Sequence, residues 1–188
     1  MKKIMFNDHF GLTKAVLEGR KTMTRRIIDY KTLSGANDYV QKIHGTGLDY
    51  LDYLLEHSRY KVGERIAVAQ SYSELSWDAR FYERLCQMCE RLPQYELAGW
   101  DNKMFVRADL MPHRIRITDI KVEHLQDISD EDILREGIEK DGDVYSFNDY
   151  EGYKTPQLAF KDLINRVSGR GTWEMNPYVF AYTFELVQ

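Results

Sequence analysis

The sequence predicts an α+β protein in which a closed or nearly closed β structure is surrounded by helices. Short strand-like and helix-like segments alternate along the chain, and the connections between them are rich in turn residues. The last strand-like segment, residues 178–186, alternates Tyr178, Phe180, Tyr182 and Phe184 with smaller or polar residues. Clustered aromatic side chains of this kind suit the wall of a small barrel, so a parallel sheet is the less natural expectation.

The chain is predicted to form one domain over residues 1–188. Its 188 residues can bury one good core, and its 43% hydrophobic and 30% charged residues are typical of a soluble globular protein. No internal repeat or low-complexity linker divides it. No apolar run approaches the roughly 20 residues of a membrane span, and the N-terminus turns polar too early for a signal peptide. We therefore expect a cytoplasmic protein without membrane association.

Hydrophobic periodicity and turn residues predict the order of the elements. Strands are expected at 4–6, within 60–69 with Val62, Ile66 and Val68 buried, and at 103–108, 113–122 and 178–186. Helices are expected at 10–18, near 48–56, at 76–92 with Ser76 as N-cap and Pro93 after it, from Ser129 to Gly137, and from Pro156 to about Val167. Residues 140–155 are expected to form a loop or hairpin.

Two of these elements carry distinctive signals. In 113–122, isoleucine and valine alternate with charged residues with a slip of one residue, which indicates a β-bulge. The next helix has Ser129 at its N-cap, acidic residues in its first turn and Asp132 at the capping-box position.

The two cysteines do not indicate a metal site. Cys86 and Cys89 form an isolated C-x-x-C in a helical segment, and the five histidines are scattered without ligand spacing. We interpret both cysteines as structural, and no metal or cofactor is expected.

Charge is distributed unevenly along the chain. The net charge is −4, which argues against indiscriminate nucleic-acid binding. Residues 13–31 hold six basic and two acidic side chains, whereas residues 127–151 hold ten acidic and two basic ones. These two segments predict a basic patch and an acidic, largely solvated arm.

The most informative stretch is residues 17–26, which has the pattern G-x-K-x-x-T-x-R. Gly19 suits the left-handed residue that ends a helix. Lys21 and Thr24 share a face in a helix or turn, and Thr24 and Arg26 share a face in a strand. An amine, a hydroxyl and a guanidinium can therefore converge on one pocket, where a desolvated lysine is able to activate a threonine. The alternative is that this stretch is an exposed basic turn. The spacing by itself favours this alternative over the pocket.

The order of motifs resembles that of the ASCH domain family. The resemblance is carried by the helix before G-x-K-x-x-T-x-R, by K-V-G-E at 61–64 with its strand, by M-P-H-R at 111–114 leading into I-T-D-I-K-V-E-H-L-Q-D-I-S, by the helix to Glu136, and by W-E-M-N-P-Y-V-F at 173–180. The longer, phage-related branch is the more similar one. The resemblance implies a PUA-like mixed β-barrel with peripheral helices and with insertions at about 27–60 and 72–102.

The resemblance implies a nucleoside- or RNA-directed protein, and it points to an amidohydrolase. Family members that deacetylate N4-acetylcytidine use lysine, threonine and glutamate, which would be Lys21, Thr24 and Glu136 in this chain. Glu136 lies at a helix C-terminus, where a carboxylate is unfavourable and therefore hints at function. The expected substrate-binding residues are Arg26, Gln70, Tyr72 and Trp173, with Gln70 standing where many relatives have glutamate.

The alternatives are a non-catalytic RNA-binding module and a metal-independent ribonuclease. The expected partner is accordingly a modified nucleoside or RNA. Arg20 and Arg25 are interpreted as surface charge, and in the RNA-binding alternative they would contact phosphates together with Lys14.

Overall fold

The computed structural model describes residues 1–88, 96–147 and 152–187 and has an α+β fold. The strands are β1 (Lys3–Ile4), β2 (Met23–Ile27), β3 (Arg65–Val68), β4 (Arg114–His124), β5 (Glu139–Asp141), β6 (Val144–Ser146) and β7 (Tyr178–Val187). The helices are α1 (Leu12–Leu17), α2 (Tyr30–Ile43), α3 (Gly47–Glu56), α4 (Tyr72–Leu75), α5 (Ala79–Met88), α6 (Asp130–Arg135), α7 (Pro156–Ser168) and α8 (Thr172–Met175). No helix in these ranges has the length and hydrophobicity needed to cross a bilayer.

Five strands form one mixed sheet in the order β1-β3-β4-β7-β2, while β5 and β6 form a separate hairpin. Only β1 and β3 are parallel, and the other neighbours are antiparallel. The outer strands β1 and β2 do not pair with each other, so the described residues form an open sheet. The sheet nevertheless curls so that its two edges approach each other, as the hydrogen bond from the Arg26 guanidinium of β2 to the carbonyl of Met5, directly after β1, shows at 2.7 Å.

The core lies mainly inside this curled sheet. It joins strand residues such as Ile66, Ile117 and Phe184 to Val16 of α1 and Phe160 of α7. A second cluster packs α4 and α5 against the other side of β3. It comprises Ala67, Ala69, Tyr72, Leu75, Phe81, Leu85, Val106, Leu110 and Met111.

Several local predictions are confirmed. The register of β4 against β7 shifts between Ile117 and Asp119, which is the predicted irregularity. The Ser129 hydroxyl accepts from the backbone N–H of Asp132, and α6 ends at Arg135 with Glu136 as its C-cap. A loop or a hairpin was expected over residues 140–155, and residues 139–146 form a hairpin. Residues 148–151 of that segment lie outside the described ranges.

The structure corrects three predictions around the second cluster. The helix expected from 76 begins at Ala79, because Asp78 caps it by accepting from two N–H groups and Ser76 instead ends α4. Its expected end at 92, with Pro93 and Cys89, lies outside the described ranges. Residues 103–108 form turns and not a strand, with Val106 inserted into the second cluster. Val62, expected to be buried, is exposed.

Residues 27–60 are more helical than expected. The helix predicted near 48–56 is present as α3, capped by Thr46. The preceding helix α2 was not predicted, although Asp29 caps it by accepting from the N–H of Thr32.

Candidate functional site

The motif at 17–26 is held between the sheet and the end of α6. Gly19 has a φ of 75° and turns the chain out of α1, as predicted. The N–H of Thr22 donates to the carbonyl of Arg135 at 2.9 Å, and the carbonyl of Thr22 accepts from Phe184 of β7. These bonds fix Thr22, and the N–H of Lys21 itself donates to the carbonyl of Ala15 at 2.9 Å. With its backbone held in this way, Lys21 directs its side chain at Glu136, which follows α6.

Lys21 and Glu136 form a buried ion pair. Lys21 Nζ lies 2.6 Å from Glu136 Oε2 and also donates to the Glu136 backbone carbonyl at 2.6 Å. The side chains are only 2% and 6% exposed. The ammonium thus neutralises the carboxylate and caps the negative end of α6, which removes the unfavourable effect of placing Glu136 there.

Arg25 completes this charged group. Its Nη1 donates to Glu136 Oε1 at 3.1 Å, and its Nε and Nη2 donate to Glu123 Oε1 at 2.9 and 2.6 Å. Nη2 also lies 3.4 Å from Asp132 Oδ2. Opposite Arg25 on β7 is Ala181, whose small side chain leaves room for the guanidinium to cross toward Glu123 on β4.

Arg25 is therefore not surface charge, and that prediction was wrong. Its side chain is 1% exposed because three carboxylates from distant parts of the chain surround it. Arg20 is more accessible and pairs with Glu18 and Glu139.

Burial and pairing shift the pKa of both Lys21 and Glu136. Burial lowers the pKa of Lys21 below the ordinary lysine value, an effect that Glu136 opposes and that Arg26 and Arg25 reinforce. Burial acts to raise the pKa of Glu136, but the charges and hydrogen bonds of Lys21 and Arg25 outweigh it and hold that pKa below its usual value. The carboxylate therefore stays ionised, and the ammonium releases its proton more readily than a free lysine.

These charges face a cavity of about 250 Å³, which we call the Lys21 pocket. Its polar side is formed by Lys21, Thr24, Arg25, Arg26 and Glu136. Its apolar side is formed by α7 and by the segment after β1, including Phe6, Phe160, Leu163 and Val167.

Thr24 and Arg26 complete the polar side. Thr24 is 5% exposed, and its hydroxyl has no hydrogen-bond partner among the residues that the structure describes. Arg26 lies over the Phe6 ring at 5.9 Å and gives one N–H to Met5, which leaves other donors of the guanidinium to face the pocket. A hydroxyl, an amine and a guanidinium therefore line one small volume, as the spacing predicted.

Three other predicted site residues lie elsewhere. Gln70 is buried with Oε1 2.7 Å from His113 Nδ1. Tyr72 is buried in the second cluster, and its hydroxyl accepts from the N–H of Arg107. Trp173 is half-buried and packs edge-on against Phe160 at 6.1 Å, so it supports the wall of the pocket without lining it.

Sequence reasoning missed Arg25 and the apolar wall from α7. Arg25 alternates with Thr24 and Arg26 along β2, so strand periodicity did not place it with them, although all three line the Lys21 pocket. The partners Glu123 and Asp132 lie about a hundred positions away in the chain, and no local pattern connects them to Arg25.

Comparisons of the chain with protein-family models, with curated proteins and with solved structures gave no match. The candidate site therefore rests on its geometry. Among the described residues, no group of three or more histidine, cysteine or acidic side chains is arranged to hold a metal ion.

Proposed function

We propose that the protein is an ASCH-type amidohydrolase that removes the acetyl group from N4-acetylcytidine or a related base. The observation that carries the proposal is the buried Lys21–Glu136 pair at 2.6 Å in a pocket shared with Thr24 and Arg26. We further propose that the curled five-stranded sheet is an open variant of the PUA-like barrel, with its edges joined by the Arg26 side chain.

Thr24 is the nucleophile in this proposal. Neutral Lys21 takes the hydroxyl proton as Thr24 Oγ1 bonds to the acetyl carbon, and the Arg26 guanidinium or a backbone N–H stabilises the oxyanion. The bond from carbon to N4 then breaks, and the leaving nitrogen takes the proton from Lys21. Water then attacks the threonine ester and gives a proton to Lys21, the bond from the acetyl carbon to Thr24 Oγ1 breaks, and Thr24 takes that proton back from Lys21 as acetate leaves. Lys21 is turned toward Glu136 in this structure, so the first step needs a side-chain rotation or one bridging water.

Glu136 acts mainly on Lys21. Both of its carboxylate oxygens already accept hydrogen bonds, one from Lys21 and one from Arg25. It therefore orients the amine and stabilises the ammonium that forms during the reaction, and a direct contact with the hydrolytic water is the secondary role. The apolar wall of α7 offers a surface for the base.

The test is conversion of N4-acetylcytidine to cytidine by the wild type beside Lys21→Ala and Thr24→Ala. We expect turnover in the wild type and a loss of at least about 100-fold in each variant. The pH profile supplies a second readout: the rate should rise as Lys21 loses its proton, with a midpoint below the ordinary lysine value. No turnover above that of the variants would contradict the proposal. Metal-independent fragmentation of RNA, abolished by Lys21→Ala, would favour the ribonuclease alternative.

A further inference from the structure

A second and larger cavity lies beside the Lys21 pocket. It has a volume of about 420 Å³ and occupies the gap between the two unpaired edges of the sheet, with β1 on one side and β2 on the other. We call it the seam cavity. Met5, Arg26 and Ile27 line both cavities, so a ligand can extend from one to the other past the Arg26 side chain.

Two guanidinium groups converge on the seam cavity. Arg26 and Arg59 both line it, and neither forms an ion pair with any of the described residues. Arg26 is half-buried, and burial lowers its pKa, an effect that Tyr60 and Glu136 oppose and that the positive charge of Arg59 reinforces. Arg59 is exposed and Arg26 is half-buried, so both guanidinium groups are accessible to an anion that enters the cavity.

Asp29, the acidic side chain in the lining of the seam cavity, is not an ion-pair partner for the two arginines. Asp29 accepts from the N–H and the hydroxyl of Thr32 at 3.0 and 2.9 Å and so serves as the N-cap of α2. It forms no ion pair with Arg26 or Arg59. The rest of the wall is mainly aliphatic and aromatic, with Tyr60 and Tyr182 in edge-to-face contact at 5.3 Å and Arg59 over the Tyr60 ring at 5.5 Å. Lys3 also lines the cavity, but its Nζ donates to the carbonyls of Met104 and Val106 at 2.6 Å.

We propose that the seam cavity is a phosphate-binding subsite in which Arg26 and Arg59 hold a phosphate ester of the substrate. Guanidinium groups match phosphate oxygens in geometry and charge, and they keep their charge at every physiological pH. A phosphate held there lies next to the Lys21 pocket, because Arg26 belongs to both. The preferred substrate is then a cytidine nucleotide, whose phosphate engages Arg26 while a backbone N–H stabilises the oxyanion, and the free nucleoside is a weaker substrate. This choice of base rests on the proposed function, whereas the affinity of the two arginines for phosphate does not.

The test compares the binding of cytidine 5′-monophosphate with that of cytidine by calorimetry at low salt. For the wild type we expect the nucleotide to bind at least about tenfold tighter. In Arg59→Gln this ratio should fall toward one, because one of the two guanidinium groups is lost. Lys14→Gln is the matched control, since Lys14 is exposed and lies outside both cavities, and it should keep the wild-type ratio.

Equal affinities in the wild type, no measurable binding of the nucleotide at millimolar concentration, or an unchanged ratio in Arg59→Gln would overturn the subsite. A preserved ratio without any hydrolysis of N4-acetylcytidine or of its 5′-monophosphate would instead reject the proposed function and leave the subsite standing. The dinucleoside monophosphate CpC distinguishes the source of the phosphate. Tighter binding of CpC than of the mononucleotide identifies an internal RNA phosphate, and weaker binding identifies a free nucleotide, both of which support the subsite.

Discussion

Glu136 joins two buried cations and allows both to remain inside the protein. Lys21 and Arg25 each donate to a different oxygen of its carboxylate. Removing one member of a buried charged group leaves the others without compensation, which costs more than the group contributes as a whole. Glu136 is thus as important for stability as for the chemistry proposed here.

Glu136→Gln is expected to lower the free energy of unfolding by about 3–5 kcal/mol at neutral pH. The loss should depend on pH in a defined direction. The folded pKa of Glu136 is lower than its ordinary value of 4.5, so its stabilising charge is fully present above about pH 4.5 and is lost as the pH falls through the lowered value. Urea unfolding of both proteins between neutral and acidic pH measures the difference.

Glu139→Gln is the control for this prediction, because Glu139 is half-exposed and pairs only with Arg20 among the described residues. Its cost should stay within about 0.5 kcal/mol. An equal loss in both variants, or a loss in Glu136→Gln that does not shrink in acid, would show that Glu136 is not the charge that holds the group together.

The sequence predicted some residues of the site better than others. Lys21, Thr24 and Arg26 are close in the chain, so spacing alone brings them near one another, and the structure places all three on the same pocket. Arg25 was misinterpreted because a basic side chain in a basic segment is normally solvated. Its burial depends on carboxylates of β4 and α6, whose position is set only by the folded sheet.

At the scale of elements, the site depends on how α6 ends. The helix stops at Arg135, and Lys21 satisfies the carbonyl of Glu136 just beyond it. Gly137 then turns the chain with a φ of 103°, close to the stem of Lys21. The turn at Gly137 therefore sets the position of Glu136 relative to the amine.

Gly137→Ala is expected to destabilise the protein by about 1–3 kcal/mol, since a side chain at this φ is strained. The added Cβ would lie 3.4 Å from Leu12 and 3.6 Å from Lys21, so backbone strain and not a clash is the cause. Gly47→Ala is the matched control, because Gly47 opens α3 at an ordinary φ with open space around it and should be neutral or slightly stabilising. The melting temperatures of Gly137→Ala and Gly47→Ala are compared by thermal unfolding. Equal melting temperatures would contradict backbone strain at Gly137 as the cause.

Elements with strong local signals were predicted well, and those shaped by tertiary contacts were not. Ser129, Pro156 and the slip in β4 gave accurate positions for their elements. Helix α2 has a polar, weakly helical sequence, and its only clear signal is the cap at Asp29. Residues 103–108 have the composition of a strand, but Val106 packs into the second cluster and no neighbouring strand is available to pair with them.

In the whole molecule, the basic and acidic segments of the sequence neutralise each other. Lys21 and Arg25 of the basic segment pair with Glu136 and Asp132 of the acidic one, and Arg20 pairs with Glu139. Arg20, Lys21 and Arg25, three of the six basic side chains expected to form the basic patch, are therefore paired with acidic residues in the fold. This weakens the RNA-binding alternative, in which Arg20 and Arg25 would contact phosphates from the surface.

Because the core is divided into two clusters, a substitution in the second cluster is predicted to lower stability without affecting substrate binding. Leu85 is fully buried in the second cluster, and Leu163 is buried in the wall of the Lys21 pocket. Leu85→Ala and Leu163→Ala should each cost about 2–5 kcal/mol. Only Leu163→Ala should also raise KM for N4-acetylcytidine, by about tenfold, because it removes apolar contact with the base.

Both variants are compared at a temperature where circular dichroism shows them to be folded. A rise in KM for Leu85→Ala as large as that for Leu163→Ala would mean that α4 and α5 take part in the site. That outcome would contradict the separation of the second cluster from the Lys21 pocket.

The central claim is that the Thr24 hydroxyl attacks the acetyl group, and one pair of variants tests it most directly. Thr24→Ser keeps a hydroxyl and Thr24→Val keeps the shape without one, so both should fold in this buried strand position. The measurement is the rate of cytidine release from N4-acetylcytidine. We predict that Thr24→Ser retains activity within about tenfold of the wild type and that Thr24→Val loses at least about 100-fold. Release of cytidine by Thr24→Val at the rate of Thr24→Ser would contradict the claim.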